Sequence, residues 1–173
     1  MRILIILLLL SSAAWAQFAI EFEVADIEVG ISSEAQAVKK LGPGYVVHRP
    51  DGGRTRIYTD GGRTKTMYVS CSADGLVEEV QVVRGLTRGY AASMRCLLPG
   101  DKWVTRNRIG LGATRRKLIN AYGDPTQEAD IGGLHWLNYK TDYSKDRRVR
   151  LMYQASFGFR GDTVERILIH NGH

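Results

Sequence analysis

The residues of this chain with the widest chemical range are four histidines and two cysteines. His48, His135, His170 and His173 are scattered. An imidazole titrates near neutral pH and serves as acid, base or metal ligand. Only His170 and His173 stand close, and their spacing would share a helix face. That end of the chain reads as the close of a strand and a tail, so no metal site is expected. Serine, histidine and aspartate are all present, but no nucleophile-elbow motif places a serine for attack. Glu78 and Glu79 are adjacent on a predicted strand, where neighbours point to opposite faces and cannot act as a carboxylate pair. The expectation is a protein with no catalytic residue, no metal and no cofactor.

Cys71 and Cys96 suit a different role. An even cysteine count in an exported chain favours a disulfide. The rival arrangement is two separately buried thiols. Export is inferred from the N-terminus. Met1-Arg2 gives a positive start, Ile3–Leu10 an unbroken apolar run, and Ser11–Ala16 a small-residue region with Ala14 and Ala16 at the cleavage positions. Residues 1–16 therefore read as a signal peptide cut before Gln17. Its apolar run is shorter than the roughly 20 residues that a membrane span needs. The mature protein is expected in the periplasm or outside the cell.

The formal net charge is +6, and the pI is near 9.5. In an exported protein this excess points to anionic envelope components, an acidic protein or no specific counterpart, rather than to nucleic acid. Arg147, Arg148 and Arg150 form the densest cluster, and alternation puts Arg148 and Arg150 on one strand face.

The elements that must position these groups follow from pattern. Phe18, Ile20, Phe22 and Val24 alternate with smaller or charged residues, as in a half-buried strand. Ser32 or Ser33 caps a helix over Glu34–Leu41, stopped by Gly42-Pro43. Pro50–Gly53 and Asp60–Gly62 mark hairpin turns, not phosphate loops, because strands flank both. Cys71 falls on the apolar face of its strand, and Asp74-Gly75 turns into Leu76–Val83. Tyr90, Met94 and Leu97 suit a short helix in the connector. Thr114 caps a second helix, Arg115–Tyr122, stopped by Gly123-Asp124-Pro125. Strands follow over His135–Lys140, Val149–Phe159 and Val164–His170, with a last turn at Gly161-Asp162.

This plan occurs twice at a period of about 80 residues, which indicates two copies of one supersecondary unit. The fold class expected is α+β, with two tandem repeats, each a short helical segment packed on an antiparallel β-meander. The divisions are a leader over 1–16, a first repeat over 17–84, a connector over 85–108 and a second repeat over 109–173.

The shared landmarks are Gly30, Ser32, Leu41-Gly42-Pro43 and Asp74-Gly75-Leu76-Val77 in the first copy. In the second they are Gly110, Thr114, Tyr122-Gly123-Asp124-Pro125 and Gly161-Asp162-Thr163-Val164. On these motifs, over most of residues 27–170, the chain resembles the SmpA/BamE-type family and the related β-lactamase-inhibitor-protein fold. The resemblance implies a non-catalytic envelope-assembly or inhibitor role. In the inhibitors, tandem sheets form a concave protein-binding face.

The residues themselves also point to binding. Tyr and Trp beside Arg are common interface anchors, and the alternative for any one of these aromatics is packing under a helix. The candidate binding surface is Tyr58, Tyr68, Trp136, Tyr139, Tyr143, Arg148 and Arg150. A protein is the expected partner. The alternative is a small ligand or an anionic envelope surface held by the basic strand faces.

Overall fold

The computed structural model describes residues 23–85, 97–143 and 151–172. The predicted leader, most of the strand from Phe18, the connector helix around Tyr90 and Met94, Cys96, and the Arg147–Arg150 cluster lie outside these residues.

Both helices begin and end where the sequence signals them. Helix α1 spans Glu34–Leu41 and helix α2 Arg115–Tyr122. Ser33 Oγ accepts the Gln36 N–H at 3.2 Å, and the Gln36 side-chain oxygen accepts the Ser33 N–H at 2.7 Å. This reciprocal capping box satisfies two donors that the first turn would otherwise leave open. Thr114 Oγ1 accepts the Lys117 N–H at 3.3 Å in the same role. Gly42 and Gly123 end the helices at φ 84° and 76°, where a side chain would be strained.

The strands carry most of the structure. A small hairpin, β1 (Glu23–Val24) and β2 (Ile27–Glu28), precedes α1. After α1 come β3 (Tyr45–His48), β4 (Arg54–Asp60), β5 (Lys65–Cys71) and β6 (Val77–Arg84). Then follow β7 (Leu97–Leu98) and a single 3-10 turn over Gly100–Trp103. After α2 come β8 (Gln127–Ile131), β9 (Leu134–Tyr143), β10 (Leu151–Arg160) and β11 (Thr163–Gly172).

These strands correct the expected fold class. The protein is not an α+β pair of helix-on-meander repeats but a mostly β structure. Eight strands form one continuous antiparallel path in the order β3-β4-β5-β6-β11-β10-β9-β8, and β7 pairs parallel to the end of β4. The physical reason lies at β6 and β11. Two separate meanders would each leave an open inner edge of unpaired backbone groups. Instead β6 and β11 pair with each other, from Glu79↔His170 to Val83↔Arg166. The two helices, eight residues each, cover part of one shared face and divide nothing.

That face is the core. Across the β6–β11 seam, Val80 sits opposite Ile169 and Val82 opposite Ile167, all fully buried. Met67, Val69, Leu137 and Phe157 continue the layer on both sides. Tyr122 of α2 joins Tyr139 and Phe157, with ring centroids 5.5 to 6.0 Å apart. Trp103 and Ile27 close the layer from the segments that precede the helices. Gly30 is required by close approach as well as by its φ of 73°, since a Cβ there would lie 2.6 Å from the Tyr153 ring. Among the described residues, no helix is long and apolar enough to cross a membrane.

Candidate protein-binding face

Alternation fixes what the other face of the sheet presents. Register places one row across six strands: Thr55, Ser70, Glu79, His170, Gln154 and Lys140. The next row runs through Tyr45, Ile57, Tyr68, Gln81, Leu168, Ser156 and Asn138, of which Ile57, Ser156 and Asn138 are buried. Beyond it stand Val83, Arg166 and Trp136. Both helices contribute their buried residues to the opposite side, so no described helix covers these rows.

The rows are ordered by their own hydrogen bonds. Thr55 Oγ1 and Ser70 Oγ lie 3.2 Å apart. Gln154 Nε2 donates to Ser156 Oγ at 2.9 Å and to Asn138 Oδ1 at 3.4 Å. The Trp136 indole donates to the Ile131 carbonyl at 3.1 Å, which fixes the ring against the β8–β9 hairpin. Glu79 stands opposite His170 at the seam. Burial pushes its carboxyl above the usual range, and the facing His170 and Arg49 oppose that rise. Among the described residues, its carboxylate makes no hydrogen bond.

The sequence-derived surface divides under this geometry. Tyr68 and Trp136 belong to these rows and are half-buried. Tyr58 and Tyr139 do not, and their assignment to a binding surface is corrected. Both are on the helix side and buried, at 0% and 1% exposure. Their hydroxyls reach the carbonyls of Gly42 and Gly123 at 3.0 and 3.1 Å. An eight-residue helix leaves its last carbonyls open, and a phenol at the right depth satisfies one of them. Burial raises the Tyr139 hydroxyl to about 12. The side chain of Tyr143, and the whole of Arg148 and Arg150, lie outside the described residues. Sequence reasoning missed Glu79, Gln81 and Gln154. The signal was the alternation of β6, where Val80 and Val82 go inward and Glu79 and Gln81 outward.

The charged groups with catalytic potential have structural engagements. Glu34, nearly buried at the start of α1, accepts from Arg54 at 2.6 Å and from Arg56 at 2.7 and 3.0 Å. Glu78 pairs with Arg49 at 3.0 Å. His135 sits between two carboxylates, with Asp130 and Glu128 each 2.9 Å from a ring nitrogen. The hydrogen bond to Asp130, then that to Glu128, raise its pKa. His48 pairs across from Arg54 at the β3 edge, and His173 lies outside the described residues. Among the described residues, no three metal-ligating side chains converge. Cys71 is a buried free thiol, and its expected partner Cys96 lies outside the described residues. Burial first, and the Glu34 charge second, push the Cys71 thiol up to about 11.

No family model matches the chain, and no curated protein matches it. Among solved structures, the chain is similar to a DUF4309 family protein, YjgB, from Bacillus subtilis. The two share 12% identity over 83% of this chain and 81% of that one, with a TM-score of 0.45. A likeness at that level carries no functional argument, so the geometry stands alone.

One cleft was invisible in the sequence. A cavity of about 430 Å³ opens beside the β1–β2 hairpin, lined by Glu23, Asp26, Asp101, Thr105, Arg106 and Arg108. Ala25, Asp26 and Arg108 take positive φ of 57°, 64° and 58° around it. Asp26 is held by Lys102 at 2.5 Å, and that bond lowers its pKa. The lining carries both signs of charge and no histidine or cysteine. It adds polar contact area beside the core rather than a nucleophile with a base.

Proposed function

We propose that this protein is an exported, non-catalytic module that binds another protein through the sheet face opposite its helices. The observation that carries the reading is the composition of that face. Tyr45, Tyr68, Trp136 and Leu168 stand beside Gln81 and Gln154, over the buried Ser156 and Asn138, with charge confined to a few positions. Aromatic side chains supply contact area at low entropic cost, and the amides of Gln81 and Gln154 between them adapt to a partner's hydrogen bonds. The leader-like N-terminus supports export, because it matches the charge, apolar run and small-residue pattern of a signal peptide.

The test is site-specific photocross-linking in extracts of cells that make the protein. A benzoylphenylalanine replaces Tyr68 or Trp136 on the proposed face, or exposed Arg116 on α2 as a control. The expected result is one saturable adduct from the two face positions, competed by unlabelled protein and lost in Leu168→Arg. Adducts that form equally at Arg116, or none at Tyr68 and Trp136, overturn the reading.

A further inference from the structure

Strand β8 ends the sheet, and no described strand pairs with its outer side. Its five residues pair with β9 in unbroken register, from Gln127↔Asn138 to Ile131↔Leu134. Alternate backbone N–H and C=O groups of such a strand point away from its neighbour. Edges of this kind are usually guarded by charged side chains, a proline or a bulge; β8 has no lysine, proline or bulge, and the carboxylates of Glu128 and Asp130 are its guard. Four of its five residues are exposed, and Ile131 is 64% exposed.

The two sides of β8 differ in chemistry. Glu128 and Asp130 share the helix side, facing Leu137 and His135. Gln127, Ala129 and Ile131 share the other, with Ala129 beside Trp136. A second copy of the chain fits badly. Symmetric antiparallel pairing about Ala129 would set Glu128 opposite Asp130, and like charges directly opposite are destabilising. An added strand with basic residues on one side and apolar residues on the other meets the carboxylates and Ile131 together.

We propose that β8 is a second docking site, which takes an extended segment of a partner protein, alternating basic and apolar residues, as a ninth strand on the main antiparallel path. Backbone hydrogen bonds supply the affinity, and the side-chain alternation supplies register and specificity. Arg115, 2.8 Å from Glu128, and His135 already offset part of the acidic charge. The pairing is therefore directed more by main-chain bonds than by ion pairs.

The probe is a synthetic acetylated and amidated peptide, Thr-Lys-Val-Lys-Val-Lys-Thr, titrated into the full chain under amide NMR. Two analogues serve as controls, one with its lysines replaced by glutamate and one N-methylated at alternate residues. The expected result is saturable shifts at residues 127–131 and slowed amide exchange there. The glutamate analogue should bind about tenfold more weakly or worse, and the N-methylated one should not bind. No saturable shift at β8 overturns the proposal. So does equal binding of the N-methylated peptide, or concentration-dependent shifts at β8 without peptide, which would mark a second copy as the occupant. Tyr68, on β5, is remote from β8 and its cross-linking reports on the sheet face alone, whereas Trp136 stands beside Ala129, so the Tyr68 adduct and the β8 shifts can each fail alone.

Discussion

Tyr58 and Tyr139, in different halves of the chain, make the same bond: each donates its hydroxyl to the glycine carbonyl that ends the preceding helix, at 3.0 and 3.1 Å. Each phenol ties a helix C-terminus to the sheet beneath it. Tyr58→Phe and Tyr139→Phe should each cost about 1–2 kcal/mol, the net bond plus the carbonyl left open. Urea unfolding of the two single variants measures this. A loss below a few tenths of a kcal/mol in both would remove the anchoring role.

Glu34 is the centre of a partly buried charge cluster, and its loss should be more damaging. Arg54 and Arg56 both converge on it, and among the described residues Arg54 Nε has no hydrogen-bond partner. Removing the shared carboxylate leaves two guanidinium groups partly desolvated and repelling. Glu34→Gln should destabilise by about 3 kcal/mol or more. The triple change with Arg54→Met and Arg56→Met should recover a large part of that. If Glu34→Gln alone unfolds at the same denaturant concentration as the parent, the cluster is not a stabilising unit.

His135 gives the fold a pH dependence of known sign. Its folded pKa is raised by Asp130 and Glu128. The stability it contributes is therefore fully present below the ordinary value of 6.5 and is lost as pH rises through the raised folded value. The melting temperature of the parent should fall over that interval, and His135→Gln should flatten the slope. Added salt should shrink the difference, because the site is open to solvent.

Cys71 should be nearly inert in the folded protein. Its thiol is fully buried, and its pKa lies near 11. Iodoacetamide at pH 8 should label it many times more slowly in buffer than in denaturing urea, since the thiolate is the nucleophile. Fast labelling in buffer would mean that this end of β5 opens readily.

Local signals in the sequence went far. The capping residues Ser33 and Thr114 and the stops at Gly42 and Gly123 bound both helices, because those signals act within one turn. Alternation placed Cys71 on the apolar face of its strand, where it is buried. Three things were not legible. Strand β8 reads Gln-Glu-Ala-Asp-Ile, with only Ala129 and Ile131 apolar, an alternation too short to mark a strand, and owes its form to pairing through the Gly132-Gly133 turn. Tyr58 and Tyr139 look like interface aromatics until the helix end above each is in place. The join of β6 to β11 decided the fold class, and no local period encodes a pairing between residues so far apart.

That join also sets a clock. Each hairpin neighbour of the sheet can form early, since only a short turn must close. The seam must wait for opposite halves of the chain to meet, and its loop-closure entropy is spent before Val80 and Ile169 first touch. A slip of one residue there would turn the whole apolar layer outward. The last step of assembly is thus also the one at which a nascent molecule is most open to capture by another chain.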